Sequence, residues 1–379
     1  MLNFKILKKS KNSRARLGFL ETDHGVVETP SLVPVATQAV VKTLDSKEVE
    51  ETKSQILICN TFHLHLKPGE KIVEKAGKLH KFMNWKKPLM TDSGGYQVFS
   101  LGFGRDFGLA SKILKSTGKE LIKENAQPQQ IKIAYDGVYF RSPTNGDQLF
   151  LGPKESIKIQ EKLGAGIIFA FDECPPPMAD VRYFKKSLEK THRWAEICLK
   201  AQKSKQALFG IVQGGKYKEL RIESAKVIGG MDFPGYGIGG EFGNDKKNMA
   251  QMLNWVVDEL PEKKPRHLLG VGHLEDMETI IKSGIDLFDC TVPTHYARRG
   301  IAFTSEGKLD MKKQKFLKKR EPLDKNCTCK VCLNYKKDYI SHLLRAGEIT
   351  ALKLLTFHNL WYFNTFVEEI RNRIKKGEL

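Results

Sequence analysis

The stretch Gly166-Ile167-Ile168-Phe169-Ala170-Phe171-Asp172-Glu173-Cys174-Pro175 decides the fold. Its apolar run does not alternate with polar residues, so it reads as a strand buried on both faces, and it ends on a carboxylate. The same design recurs from about residue 86 onward. Pro88-Leu89-Met90-Thr91 leads to Asp92-Ser93-Gly94-Gly95, Ala207-Leu208-Phe209-Gly210-Ile211-Val212 to Gln213-Gly214-Gly215, and Ile285-Asp286-Leu287-Phe288 to Asp289-Cys290. Helix-period stretches lie between these runs: Val181, Phe184, Leu188, Ala195 and Cys198 share one face, and Glu275 to Ile281 repeats the pattern more briefly. Continuous apolar strands alternating with helices predict a parallel sheet covered on both sides. A doubly wound open sheet also fits that alternation, but no Gly-x-Gly-x-x-Gly fingerprint follows an early strand. The reading is therefore α/β, a (β/α)8 TIM barrel in which Asp92, Asp172, Gln213 and Asp289 converge at the C-terminal mouth of the strands.

The chain has 379 residues, enough for one large barrel or two ordinary domains. Its 40% hydrophobic content supports a core and excludes a disordered chain. Apolar runs stay far below the ~20 residues that span a bilayer, so no membrane association is expected. The basic start from Met1 to Lys9 is not followed by the apolar segment of a secretory signal. Seven cysteines, three of them clustered, suggest a reducing compartment, the cytoplasm, and a metal site in place of a disulfide framework. Lys and Arg total 63 against 44 Asp and Glu, a net charge of +19, with basic stretches at 5–16, 78–87 and 312–320. That surplus points to an acidic partner, and several basic runs on one chain form the electrostatic footprint of a nucleic-acid binder.

Two segments depart from the barrel pattern. Residues 102–133, Lys- and Gln-rich after Gly102-Phe103-Gly104-Arg105, read as an atypical insertion or lid. Beyond Gly300 the chain turns basic, then reaches a cysteine cluster and a helical tail in which Phe366, Ile370 and Ile374 recur every four residues. The organisation expected is a catalytic barrel over 1–300 and a zinc-binding subdomain with C-terminal helices over 301–379. Cys327-x-Cys329-x-x-Cys332 supplies three thiolates at a spacing suited to tetrahedral zinc, with His342 and His358 both candidates for the fourth ligand. Three Cys and one His leave no open position for water, so this Zn2+ holds structure and does not catalyse.

Asp92 and Asp289 each end an apolar strand, and two carboxylates at one mouth can divide labour as nucleophile and general acid/base, as in retaining glycosyl transfer. A single Asp after a strand is more often a cap or turn residue, but four polar strand ends in one barrel weigh against that reading. Asp172 and Gln213 together can match the donors and acceptors of a purine edge. Tyr96 is placed to stack on a flat base, and the Gly-rich run Gly235 to Gly240 lets backbone approach a ligand or turns a barrel corner.

These residues resemble the tRNA-guanine transglycosylases of the bacterial and eukaryotic queuosine type. The resemblance is carried by Asn60-Thr61-Phe62-His63-Leu64, Thr91 to Ser100, Phe171 to Pro175, Ile211 to Gly215, and Phe288-Asp289-Cys290 with Pro293-Thr294. The family's zinc pattern puts a His 26 residues after the last Cys, which selects His358. The resemblance implies replacement of guanine at the anticodon wobble position of tRNA by a 7-deazaguanine, with Asp289 as nucleophile on the ribose C1′ and Asp92 as general acid/base. It further implies that Ser93, Asp172, Gln213, Gly239 and Gly240 grip the base, that Tyr96 stacks on it, and that Gln97 touches the ribose. Leu269 stands where a stacking Met is common. Thr294, Arg298 and Arg299 match the RNA-reading segment, in which His295 replaces the usual Arg. Gly243 resembles the eukaryotic form that takes queuine, whereas Cys174 resembles the bacterial form that takes the aminomethyl precursor. A homodimer is the family's usual assembly. Two alternatives accompany this reading: a related 7-deazaguanine DNA transglycosylase, and a non-catalytic RNA-binding partner subunit, which would be expected to have lost an acidic residue or a zinc ligand.

Overall fold

A computed structural model of the chain describes residues 2–106, 131–177, 179–240, 242 and 246–379. Eight parallel strands form one sheet: β1 (Ser31–Pro34), β2 (Leu57–Cys59), β3 (Leu89–Thr91), β4 (Ile167–Phe169), β5 (Ala207–Val212), β6 (Gly235–Ile238), β7 (Arg266–Leu268) and β8 (Leu287–Cys290). Each pairs with the next from β2 to β8, and β8 returns to β1 with Asp289 opposite Val33. A parallel bridge between Val35 and Ile58, with Ala36 N–H donating to Ile58 C=O at 2.7 Å, closes β1 onto β2. The sheet is thus a (β/α)8 barrel with helices around it.

Side-chain parity explains why these short runs become strands. Val33, Ile58, Met90, Ile167, Phe169, Phe209, Ile211 and Leu287 form an inner cluster, while Leu57, Cys59, Leu89, Ile168, Leu208, Val212, Leu268 and Phe288 belong to an outer one shared with the helices. Strands buried on both sides carry no polar alternation, which is what the apolar runs recorded. Stepping two residues on from inner positions brings Asp92, Gln213 and Asp289 to the mouth. Ala170 and Phe171 both belong to the outer cluster, an irregular step just before Asp172.

The opposite end is closed by an antiparallel sheet of Asn3–Lys9, Arg16–Thr22 and Gly25–Thr29, whose Leu20 and Val27 join the inner cluster. Neither this sheet nor β1, β2, β6 and β7 was read as strand from the sequence, and β1 and β2 precede the repeating pattern seen from about residue 86. Helix Val181–Ala201 buries Phe184, Leu188, Ala195 and Cys198 as the period requires, but Val181, in its first turn, is exposed. Between β3 and β4 the described chain forms helix Gly95–Asp106 and a three-stranded antiparallel sheet, Ile131–Ile133, Val138–Arg141 and Gln148–Leu151. Most of the expected 102–133 insertion, and Gly243, lie outside the described residues.

After β8 come helix Val292–Ala297, a hairpin of Ile301–Thr304 and Gly307–Asp310, and short helices leading to the long helix Ile349–Lys376. Three polar side chains on that helix join it to the barrel. Asn359 donates to the carbonyls of Pro293 and Ile301, both at 3.0 Å, Asn364 donates to Thr52 C=O at 2.8 Å, and Arg371 donates to Pro30 C=O at 2.9 Å. Buried amides satisfied on every side contribute about 1 kcal/mol each and cost more than that when orphaned. Phe366 is partly buried, with Ile370 and Ile374 buried, in line with their four-residue spacing.

Candidate active site

Asp92 follows β3 at the mouth. Its Oδ1 accepts from the backbone N–H of Thr61 at 2.8 Å and of Gly94 at 3.2 Å, and its Oδ2 accepts from Asn60 Nδ2. Burial, with the charge of Asp289 adding to it, pushes its carboxyl up to about 7 despite those donors. A group near neutrality can give and take a proton at physiological pH. Asn60, which holds it, also caps helix Thr61–Leu66 by accepting from His63 N–H.

Asp289 sits within β8. Its Oδ1 accepts from His267 Nε2 at 2.9 Å and from Gly270 N–H at 3.1 Å, while no donor among the described residues meets Oδ2. One oxygen is fixed and the other is presented.

Asp172 and Gln213 form a third group. Ser93 Oγ donates to Asp172 Oδ1 at 3.3 Å and Gln213 Nε2 to Asp172 Oδ2 at 2.7 Å. Burial raises the Asp172 carboxyl to about 6. Gln213 Oε1 is buried with no partner among the described residues, an acceptor whose desolvation a ligand N–H would offset. Gly239 and Gly240 approach this amide so closely that a Cβ on Gly239 would lie 2.6 Å from Gln213 Nε2 and one on Gly240 2.9 Å from Oε1. Gly240 also has φ +88°, where only glycine is unstrained. Buried Arg221 donates to Gly239 C=O at 2.7 Å and to Gly215 C=O at 2.7 Å, fixing both backbones.

The remaining expected residues lie around these three groups. Leu269 packs on the inner cluster beside β7. Tyr96, in the first turn of helix Gly95–Asp106, is 61% exposed, and Gln97 is next to it with its Oε1 buried and unpartnered among the described residues. Thr294 is buried in helix Val292–Ala297, His295 and Arg298 are half-buried, and Arg299 is exposed. Burial, then Arg299, Arg298 and Lys42, hold the His295 imidazole below its ordinary value, so near pH 7 it is mostly uncharged. Asn60, Arg221 and His267 were assigned no role from sequence. The inward parity of β7 was a signal for His267, hidden because Arg266-His267-Leu268 does not read as an apolar strand.

At the far side of the chain's C-terminal region, Cys327, Cys329, Cys332 and His358 bring their donor atoms within 4.8 Å of one another. The three Sγ atoms lie 3.8, 3.5 and 3.4 Å from His358 Nδ1. A tetrahedral ion with ordinary zinc bond lengths requires sulfur–nitrogen separations of about 3.6 Å, so the donor set fits one. His358 Nε2 donates to Phe303 C=O at 2.8 Å, which leaves Nδ1 as the free lone pair facing the thiols. His342, the other candidate, is exposed in a different helix and is not part of the group.

A (β/α)8 barrel whose polar and acidic side chains gather at one mouth, with a Cys3His group toward its C-terminus, defines a barrel enzyme. The family profile described as "Queuine tRNA-ribosyltransferase" matches residues 10–379. Proteins named queuine tRNA-ribosyltransferase from Halothermothrix orenii and from Caldanaerobacter subterraneus subsp. tengcongensis are each 45% identical, covering 100% of this chain and 95% of the relative. One of the same name from Geobacillus kaustophilus is 43% identical over 100% of this chain and 93% of its own length. The chain belongs to the queuine tRNA-ribosyltransferase family, and as such is a pentosyltransferase. Among the described residues no helix is long and apolar enough to cross a membrane.

Proposed function

We propose that this protein exchanges guanine at the wobble position of tRNA for a 7-deazaguanine, queuine or its aminomethyl precursor, through a covalent ribosyl–Asp289 intermediate. The observation that carries the reading is the pair of carboxylates in different states: Asp289 with one oxygen held and one free, and Asp92 near neutrality beside it. Asp289 Oδ2 attacks C1′ as the bond to guanine N9 breaks, and Asp92 supplies the proton that the departing base takes up. The incoming deazaguanine then gives its N9 proton to Asp92 and attacks C1′ from the side guanine left, releasing the Asp289 carboxylate. Two inversions give retention, and no phosphodiester bond is touched.

Asp172, Ser93, Gln213 and the Gly239-Gly240 backbone read the base edge, the Gln213 Oε1 supplying an acceptor that lacks a partner in the described chain. Tyr96 stacks on the flipped base, Gln97 contacts ribose, and Leu269 covers the base from the barrel side. Thr294, His295, Arg298 and Arg299 contact the flanking RNA. The division into a catalytic barrel over 1–300 and an appended subdomain over 301–379 belongs to the same reading. The Cys3His group binds Zn2+, one per subunit, which fixes the segment between the hairpin and the long helix and takes no part in the chemistry. Seven cysteines, none in a disulfide, support a cytoplasmic protein, and we take it as a homodimer.

Release of labelled guanine from tRNA, from a DNA copy, and with each deazaguanine as acceptor tests the proposal. Release from tRNA alone is expected. Release only from DNA would favour the DNA enzyme, and release from neither would favour a non-catalytic subunit.

A further inference from the structure

We propose that His267 is a positioning residue for Asp289: its Nε2–H and the Gly270 N–H pin Oδ1, which makes Oδ2 the attacking oxygen. This rests on Asp289 being the nucleophile. His267 is fully buried within β7, its ring 5.4 Å from that of Phe169 in the barrel interior. An ionised carboxylate only accepts hydrogen bonds, so the nitrogen 2.9 Å from Asp289 Oδ1 must carry the hydrogen. The other nitrogen, Nδ1, is buried and has no partner among the described residues. No described residue gives a proton to Nδ1 or takes one from it, so we read the imidazole as neither relay nor general base. It is a fixed donor.

A fixed donor at Oδ1 has two consequences. It holds the carboxylate plane, so that Oδ2 and not Oδ1 meets C1′. It also binds the free carboxylate more strongly than the ester, because a hydrogen bond to a charged acceptor is the stronger one. The donor therefore disfavours accumulation of the covalent ribosyl-enzyme: it favours departure of ribose from Asp289 in the second displacement, where negative charge returns to the carboxylate.

Two variants separate these effects from packing. His267→Gln can keep an N–H near the position of Nε2, and His267→Met fills a similar volume with no donor. With tRNA and saturating guanine, the ratio of covalent adduct to free enzyme is read on denaturing gels, beside kcat and KM for tRNA. His267→Met is expected to lose roughly 100-fold in kcat with KM for tRNA little changed, and to raise the adduct ratio roughly tenfold. His267→Gln is expected to restore most of kcat and the wild-type ratio. Equal losses in both variants, or a kcat loss with an unchanged adduct ratio, would reduce His267 to packing and overturn the proposal. Should His267→Met not fold, 15N NMR of histidine-labelled wild-type enzyme decides the matter, since an Nε2 without its hydrogen is incompatible with it. An adduct absent from the wild type, or mapped to another residue, would instead overturn Asp289 as nucleophile.

Discussion

On the proposed mechanism, two aspartates three residues apart on one side of the barrel have opposite duties, and substituting each separates stability from chemistry. Asp286 lies just before β8, at the end closed by the N-terminal sheet, and is fully buried. Its Oδ1 accepts from Arg16 Nε at 2.8 Å, and its Oδ2 from Arg16 Nη2 at 2.6 Å and from Arg266 N–H at 2.8 Å. Asp286→Ala leaves Arg16, 4% exposed, with the carbonyls of Glu262 and Lys264 as its acceptors among the described residues. An uncompensated buried guanidinium costs about 3–5 kcal/mol, and the orphaned Arg266 N–H adds about 1 kcal/mol. For a chain of this length, with an unfolding entropy of about 2 cal/mol/K per residue, the melting temperature falls by roughly 5–8 °C. Calorimetry and urea titration measure the loss, and activity per folded molecule should be unchanged at 20 °C below the new midpoint. Asp289→Asn should do the reverse, melting within about 1 °C of wild type with guanine release abolished, since its shape is kept and its Oδ1 can still accept from His267 and Gly270. A wild-type melting curve for Asp286→Ala, or lost catalysis in its folded form, would refute the division of the barrel into a stability end and a chemical end.

With its carboxyl at about 7, Asp92 is largely protonated below that pH and ionised above it, so single-turnover guanine release should fall as pH rises through about 7. Asp92→Asn should remove that limb along with most of the rate while tRNA affinity stays, and an unchanged pH profile would exclude Asp92 as the acid. Gly239→Ala drives a methyl against Gln213 and should raise KM for free guanine roughly 10- to 100-fold, read by guanine exchange at varied base concentration; an unaltered KM would place the base elsewhere. Chelation should lower the melting temperature, because an ion bound by the four ligands would hold the segment from Cys327 to His358, and identical melting with and without metal would remove the structural role. Binding of tRNA should weaken with a log–log salt slope of about −0.7 to −0.9 per phosphate contacted, and a flat plot would count against RNA.

The polar strand ends were more legible in the sequence than the scaffold that carries them. β4 and β5 were legible because a doubly buried parallel strand is an unbroken apolar run, and Asp92, Asp172, Gln213 and Asp289 stood out as the polar residues that end such runs. β1 and β2 were not legible although they are as long as β3 and β4, and β7 was not because it carries Arg266 and His267, whose side chains donate to the carbonyls of Gly284 and Leu260 and to Asp289, all outside the strand. The N-terminal sheet was missed for a related reason: its burial comes from plugging the barrel, a contact with no local periodicity. His358 could be chosen over His342 by likeness to a family but not by spacing, and the physical discriminator, a ring locked by Phe303 C=O, exists only in three dimensions.

The most direct test of the central claim is to quench the enzyme with wobble-guanine tRNA, digest protein and RNA, and locate the ribosylated residue by mass spectrometry. The account predicts one modified peptide, with the ribose on Asp289, lost in Asp289→Asn and discharged by added guanine. Modification of a different residue, or guanine exchange by Asp289→Asn at the wild-type rate, would contradict it.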